Sequence, residues 1–217
     1  MALPTPIEMP SPLPVRAKSF DLNYNQLITP IGSGFSQTIE RGPSLWVASY
    51  ETPPLNDERN QVLQAFLDEL EGAQGTFLAF DPRHTRPYAY RHVGGEPWVQ
   101  SGQTAARVIS GNASNSTITL DRLEVGAILR PHDYISYKAG RAWYLHRVVV
   151  GGISTDNTLT VKVKARPKDF ATPYNARLNR PCCAMKVMGR IEKRDSVDSF
   201  PVYRFTAGQF VDKSTDP

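Results

Sequence analysis

The side chains best suited to acid–base or metal chemistry are scattered histidines and one group of carboxylates. The four histidines are His84, His92, His132 and His146. His84 and His92 could meet across a hairpin, but a metal pair needs at least one further ligand, and the sequence does not identify which residue that would be. The carboxylates Asp68, Glu69 and Glu71 border an apolar helical stripe, where solvated acidic groups are expected. We therefore interpret the histidines as ordinary surface or interface residues and predict no catalytic residue, no metal site and no cofactor.

The sequence also lacks the short motifs of common enzyme families. It contains no His-Glu-x-x-His pair, no Cys-x-x-Cys pair, no phosphate-binding Walker loop and no Gly-x-Ser-x-Gly elbow. Cys182 and Cys183 are adjacent, and about 3.8 Å between their Cα atoms is too short for a usual disulfide. Two free thiols are expected, one facing in and one facing out of a strand, in a chain made in a reducing cytoplasm. The sequence thus predicts a protein that is not an enzyme.

One short segment interleaves arginines with tyrosines. Arg83, Arg86 and Arg91 surround Tyr88 and Tyr90. Such residues contact nucleic acid through phosphate pairing and base stacking, and they also form salt bridges between subunits. Because the basic residues of the chain are otherwise spread out, the second interpretation is preferred. We predict that Arg83, Arg86, Tyr88 and Arg91 are subunit-interface or channel residues.

The tryptophans suggest an alternative class of function. Trp46, Trp98 and Trp143 accompany nine tyrosines, and aromatic rings of this kind can stack on sugars. A carbohydrate-binding β module for attachment to a host surface would use Trp98, Trp143 or Tyr144. Aromatic residues in this number more often fill cores and interfaces, so carbohydrate binding is kept as the alternative.

Composition indicates a globular, turn-rich β protein. The 217 residues are 40% hydrophobic and 21% charged, a balance typical of a folded chain. Eighteen prolines and fifteen glycines supply the turns that strands require. The net charge of +4 is small for a nucleic-acid-binding protein. Since no apolar run of about 18 residues occurs and the proline-rich start lacks a secretion-signal pattern, we expect no membrane partner.

One amphipathic helix is predicted over residues 57–71. Asn56 has a side chain suited to capping its start, and Gly72 can adopt the left-handed conformation that ends helices. An apolar stripe about 100° wide should pack against a sheet. The residues of this stripe are Val62, Leu63, Phe66, Leu67 and Leu70.

Most other segments favour strands. Residues 44–51 and 75–80 are rich in β formers between prolines and glycines, and residues 158–164 alternate strictly between apolar and polar. Residues 134–150 have the pattern of a hairpin. The predicted domains are an extended proline-rich arm over 1–18, a β-sandwich over 19–95 and 171–210 that carries the helix, a small second β domain with barrel-like character over 96–170, and a frayed tail over 211–217.

The order of these features resembles the distal tail proteins of long-tailed, siphovirus-type bacteriophages. A strand with Trp46 leads through residues 50–55 into the helix with residues 65–72, and residues 75–82 follow. Residues 126–130, 133–136 and 141–145 are similar to the second half of that family. The resemblance covers roughly residues 20–192 and depends on the order of the elements, because no single motif is diagnostic.

The resemblance implies a fold, an assembly and a location. The fold would be mainly β: a β-sandwich of the tail-tube type with one flanking α-helix and a small inserted β-barrel-like region. The chain would form a ring with copies of itself, usually a hexamer, at the virion tail tip. The ring would join the tail tube protein to the hub or tip protein and let DNA pass without reading its sequence. A tail tube or terminator subunit is the nearest alternative within this class.

Overall fold

The computed structural model describes residues 5–10, 15–31, 34–195 and 200–210, and it places about half of them in β-strands. The predicted mainly β fold with one α-helix is confirmed for these residues. In chain order the elements are β1 Ile7–Glu8, β2 Arg16–Asn23, β3 Gln26–Ile31, β4 Phe35–Glu40, β5 Leu45–Glu51, α1 Asp57–Glu69, β6 Phe77–Phe80, a 3-10 turn Tyr88–Tyr90, β7 Arg107–Asn112, β8 Thr117–Asp121, β9 Ile128–Leu129, β10 Tyr134–Ala139, β11 Ala142–Val150, β12 Gly152–Ile153, β13 Leu159–Lys164, β14 Tyr174–Arg177, β15 Cys182–Asp195 and β16 Pro201–Gln209.

The strands form an open sheet and a closed barrel. The open sheet has the strand order β1-β6-β15-β16-β5-β2. The barrel has the order β10-β11-β13-β8-β7-β14, which confirms the predicted barrel-like region. β3 pairs with β4, and β9 with β12, in separate two-stranded sheets. Several sheets with one helix are consistent with the predicted β-sandwich.

The chain divides into two compact units. The barrel unit comprises Met1–Met9, Thr76–Met185 and Phe210–Pro217. The helix unit comprises Pro10–Gly75 and Lys186–Gln209. These boundaries differ from the predicted division into 19–95 with 171–210 and 96–170.

The barrel unit is larger than predicted because segments on both sides complete it. After residue 170, β14 pairs with both β10 and β7 and so closes the barrel. Before residue 96, the Tyr90 hydroxyl accepts a hydrogen bond of 2.9 Å from the Ile128 backbone N–H. These are non-local contacts, and local sequence patterns do not encode them.

The helix α1 begins where the sequence predicts and ends two residues earlier. The Asn56 side chain accepts a hydrogen bond of 3.1 Å from the Arg59 backbone N–H, as an N-cap does. α1 ends at Glu69 rather than at residue 71. Glu71 and Gly72 both have positive φ angles, 46° and 69°, which cannot continue a right-handed helix.

The apolar stripe of α1 is one residue narrower than predicted. Its buried members are Leu63, Phe66, Leu67 and Leu70. Val62 is 47% exposed, so its assignment to the packed stripe is wrong. At about 100° per residue, Val62 lies about 90° from the centre of the other four side chains and therefore at the border of the stripe.

A polar contact fixes the helix to the neighbouring sheet. Gln64 Nε2 donates to Tyr203 Oη at 2.9 Å, and Tyr203 Oη donates to Asn60 Oδ1 at 2.8 Å. Tyr203 lies on β16, so two successive turns of α1 are held to the same strand. The sheet also contains Trp46 and Tyr50, which are fully buried and alternate along β5, so they share one of its faces.

The hairpin formed by β3 and β4 stands apart from the other sheets and is named here the exposed hairpin. Every side chain that the structure describes from Asn23 to Glu40 is exposed. Leu27 pairs with Ile39 on one face of the ribbon, and Ile28 pairs with Thr38 on the other. Ile28 is 64% exposed. Apolar side chains therefore face solvent on both sides of a two-stranded ribbon.

The predicted arm and tail are described only in part. Residues 1–4 and 11–14 of the arm lie outside the described residues, and so does the whole predicted tail, residues 211–217. Within the arm, Ile7 and Glu8 form β1, which runs parallel to β6 with Ile7 opposite Phe77. Among the helical residues that the structure describes, none forms a segment long and apolar enough to cross a membrane.

Candidate functional site

Asp81 anchors the start of the arginine-rich segment. This carboxylate is almost fully buried and follows β6 directly. Arg83 donates to both of its oxygens at 2.9 Å, and His84 Nδ1 approaches at 3.0 Å. Burial alone would raise the pKa of Asp81, but the hydrogen bonds from Arg83 and His84 outweigh it and hold the pKa below its ordinary value.

Asp133 is the second buried anchor. Its two oxygens accept from the Tyr88 backbone N–H at 2.7 Å and from the Arg130 backbone N–H at 2.6 Å. Burial raises the pKa of Asp133 by more than these two hydrogen bonds lower it. One carboxylate thus ties together backbone positions that are 42 residues apart in sequence.

The Asp133 anchor places one exposed tyrosine between two arginines. The guanidinium of Arg91 lies 4.4 Å from the centroid of the Tyr88 ring, and that of Arg130 lies 5.3 Å from it. Both distances are within the range of cation–π contacts. We call this group, Arg91, Tyr88 and Arg130, the Tyr88 stack. All three residues are exposed, so the stack presents two positive charges and an aromatic ring to solvent, which suits an acidic partner.

Arg86 points to a different place, a polar cavity named here the arginine cavity. The cavity has a volume of about 450 Å³. Its lining residues are Thr85, Arg86, Glu96, Arg177, Asn179 and Arg180. Three guanidinium groups and one carboxylate therefore surround a single space.

The predicted interface residues separate into three environments. Arg83 pairs with buried Asp81, Arg86 lines the arginine cavity, and Tyr88 and Arg91 belong to the Tyr88 stack. Asp81, two positions before Arg83, was not among the predicted site residues, and neither were four distant residues that complete these environments. They are Arg130, Asp133, Arg177 and Arg180. No local signal could have identified them, because each lies at least 39 residues along the chain from Arg91.

The candidate sugar-binding aromatics are not equivalent. Trp98 is 1% exposed in the barrel core, so its assignment as a stacking platform is wrong. Tyr144 lies against the Tyr137 ring at 5.3 Å between centroids. Trp143 instead lines a cavity of about 420 Å³ together with Tyr174, Lys138 and other residues. Trp143 is the predicted aromatic that the structure places beside an open space.

The interpretation of the histidines as surface residues is wrong for His146. His146 is buried inside the barrel, where its ring stacks on Tyr137 at 5.5 Å. Its Nδ1–H donates to the Ala165 carbonyl at 2.6 Å. Its Nε2 is buried and has no hydrogen-bond partner among the residues that the structure describes. Burial lowers the pKa of His146 to about 4.

The expectation that one cysteine faces in and the other faces out is also wrong, because Cys182 and Cys183 are both buried. The barrel strand β10 covers this end of β15, since the Cys182 backbone N–H donates to Ser136 Oγ at 3.0 Å. Burial raises the pKa of Cys182 to about 11 and that of Cys183 well above its ordinary value. Neither thiol is therefore a reactive nucleophile near neutral pH.

The site as a whole is suited to binding. The acidic residues Asp68, Glu69 and Glu71 are exposed, as predicted for a solvated face. Within the described part of the chain, no group of three or more His, Cys, Asp or Glu side chains is placed to hold a metal ion.

No protein-family model matches this chain, and no curated protein matches it.

Removal of the Asp133 anchor should destabilise the barrel unit. The substitution Asp133→Ala leaves the N–H groups of Tyr88 and Arg130 without their buried acceptor, and we expect a loss of about 2 kcal/mol in the free energy of unfolding. Denaturant unfolding measures this loss. The exposed Asp156, whose φ of 47° asparagine tolerates, provides the control Asp156→Asn, expected to change stability by less than about 0.5 kcal/mol. Equal stability of the two variants would contradict the anchoring role.

Proposed function

We propose that this chain is a structural virion protein that closes into a ring with copies of itself. In this proposal it is the distal tail ring of a long-tailed phage, located at the virion tail tip. The ring joins the tail tube to the hub and surrounds the path of the DNA. The order of the elements and the mainly β fold with one helix support this proposal, which assigns no catalytic residue.

The observation that carries the proposal is the exposed hairpin. A two-stranded ribbon with no third strand is marginally stable in water. Here Ile28 is exposed on one face, and Leu27 and Ile39 are exposed on the other. Apolar side chains on both faces, together with unpaired strand edges, favour a ribbon that is covered by another chain.

The distribution of charge favours a second copy as that other chain. Residues 10–75 contain four Lys and Arg and eight Asp and Glu, a net charge of −4. Residues 76–185 contain fifteen Lys and Arg and seven Asp and Glu, a net charge of +8. A chain with oppositely charged segments can attract its own copies head to tail, and such heterologous contacts form a ring when the rotation closes.

The first test of the proposal is the oligomeric state. We expect the purified full-length protein to form closed rings, with a hexamer as the expected size, at micromolar concentration. Native mass spectrometry gives the number of subunits, and negative-stain microscopy shows whether the particle is annular. A distal ring should stop at one or two layers, whereas a tail tube subunit should form long stacks. A strict monomer under all conditions would contradict the proposal.

Carbohydrate binding remains the alternative because of Trp143. The Trp143 indole lies 5.9 Å from the Arg177 guanidinium and lines the cavity of about 420 Å³. An indole beside polar groups is a common sugar-binding arrangement. Glycan-array binding by a monomer that disappears in Trp143→Ala would favour this alternative over the ring.

A further inference from the structure

We propose that the arginine cavity binds a tetrahedral oxyanion, namely a phosphate or sulfate group. This inference goes beyond the ring proposal and does not depend on it. It concerns the space lined by Thr85, Arg86, Glu96, Arg177, Asn179 and Arg180. All of these residues belong to the barrel unit.

The first argument is the convergence of positive charge. Arg86, Arg177 and Arg180 line one cavity of about 450 Å³, a volume within the range of small-ligand sites. Arg177 forms an ion pair with Glu8 at 3.0 Å and Glu96 lines the cavity, so these two carboxylates offset part of the positive charge, and a bound anion would offset the remaining formal charge. The planar guanidinium group binds phosphate oxygens through paired N–H donors more specifically than lysine does.

The second argument is that internal contacts hold two of the arginines and use only part of their donors. A guanidinium has five N–H groups. Arg86 donates from Nη1 to the Val93 carbonyl, and its guanidinium lies 6.0 Å from the Trp98 ring. Arg177 donates from Nε to the Asn179 carbonyl at 3.2 Å and from Nη1 to Glu8 Oε1 at 3.0 Å. These contacts orient the side chains and leave further N–H groups for an anion.

The third argument is the backbone at Arg180. Its φ of 49° is in the left-handed region, which costs a residue other than glycine or asparagine about 1–2 kcal/mol. The Arg180 backbone N–H donates to the Thr85 carbonyl at 2.7 Å, so this conformation joins both sides of the cavity. Because its backbone is held in this way, Arg180 lines the cavity from a constrained position.

Glu96 modifies the kind of ligand that the cavity would accept. Its carboxylate reduces the formal charge of the lining from +3 to +2, and it can accept hydrogen bonds from hydroxyl groups. Thr85 and Asn179 add further polar groups. The lining therefore suits an oxyanion on a hydroxylated molecule as well as the free ion. The shared chemistry is the tetrahedral oxyanion.

The test compares wild type with variants by isothermal titration calorimetry and by thermal unfolding in a chloride-matched buffer. The probes are inorganic phosphate, sulfate and a short single-stranded oligonucleotide. We expect phosphate to bind wild type and to raise its Tm. Arg86→Gln and Arg180→Asn should each weaken phosphate binding by about tenfold or more, because each removes charge-assisted hydrogen bonds.

The position of Arg180 allows a matched control. Asparagine tolerates a φ of 49°, so Arg180→Asn should unfold at a Tm no lower than that of wild type while losing affinity for phosphate. Arg122 has a φ of 57° but does not line the cavity. Arg122→Asn therefore removes the same charge from a similar backbone conformation and should bind phosphate as wild type does.

The three probes identify the source of the anion. If phosphate or sulfate binds and the oligonucleotide binds no more tightly than these ions, the result supports a site for a free ion or small molecule. Tighter binding of the oligonucleotide, reduced by the same two variants, supports a phosphodiester backbone as the source. The proposal is overturned if neither ion binds wild type at up to about 50 mM. It is also overturned if Arg86→Gln, Arg180→Asn and Arg122→Asn bind phosphate equally.

Discussion

The double substitution Ile28→Lys with Ile39→Lys is expected to convert the proposed ring to monomers while each subunit stays folded. Both side chains are exposed in the single chain, so their loss should change the free energy of unfolding by less than about 0.5 kcal/mol each. In the assembly, each isoleucine that a neighbour buries contributes about 1.5–3 kcal/mol. Because Ile28 and Ile39 are 64% and 47% exposed, a neighbour can bury roughly one whole side chain between them, so the double substitution should weaken each contact by about 1.5–3 kcal/mol, or about 10- to 150-fold.

The two positions sample both faces of the exposed hairpin, since Ile39 lies opposite Leu27 and Ile28 opposite Thr38. Native mass spectrometry and light scattering measure the loss of assembly, and circular dichroism checks folding. Val125 and Val150 are exposed apolar residues of the barrel unit, 63% and 57% exposed. The control Val125→Lys with Val150→Lys makes the same change of charge and should assemble as wild type does. If both double variants assemble as wild type does, the exposed hairpin does not form the contact between subunits.

The stability of the folded chain should fall as the pH decreases from about 6.5 to about 4, because of His146. The folded pKa of about 4 lies below the ordinary value of 6.5. Between these values the unfolded chain takes up a proton that the folded chain excludes, so acid favours unfolding. A difference of about 2.5 pKa units corresponds to about 3 kcal/mol lost across this range. Above pH 6.5 the contribution is constant.

The structural reason is that the His146 ring has no place for a positive charge. Nδ1–H already donates to Ala165, and a proton on Nε2 would meet no acceptor among the described residues. The variant His146→Asn keeps a donor toward Ala165 and removes the titration. It should be less stable at pH 7, because a cavity replaces the ring, but should lose most of the pH dependence between 6.5 and 4.

The matched control for this measurement is His92→Asn, which removes an exposed histidine from the same unit. We expect its pH profile of unfolding to parallel that of wild type. Denaturant unfolding at several pH values gives both profiles. A His146→Asn profile that also parallels wild type would show that His146 does not cause the acid sensitivity. Asp133 cannot cause it either, because its raised pKa makes the folded state more stable as the pH falls.

Local patterns predicted much of the fold. The alternation of Leu159, Val161 and Val163 with polar residues gives β13, and its burial alternates as predicted. Asn56 caps α1 because capping depends on residues within one turn. The helix end and Val62 were predicted less well. The exposed border of an amphipathic helix depends on how far the opposing sheet extends, and the helix sequence does not contain that information.

The candidate site was predicted only in its local part. Arginines and tyrosines within residues 83–91 are recognisable because they are neighbours in sequence. Asp133, Arg177 and Arg180 join them through barrel closure, and β14 and the strands that precede it must be in place first. Trp98 and Trp143 show the same limit, since identical side chains differ in burial only after the barrel has formed.

The sequence by itself determined the strand-rich class, the single helix and the absence of familiar enzyme motifs. These properties depend on residue type and on spacing within about one turn or one strand, so they can be recognised without a structure. Only the tertiary structure decided which arginines share a cavity, which histidine is buried and which hairpin stands apart. Those properties depend on contacts between residues that are distant in sequence. Their partners are selected when the sheet and the barrel close, and no local pattern specifies that step.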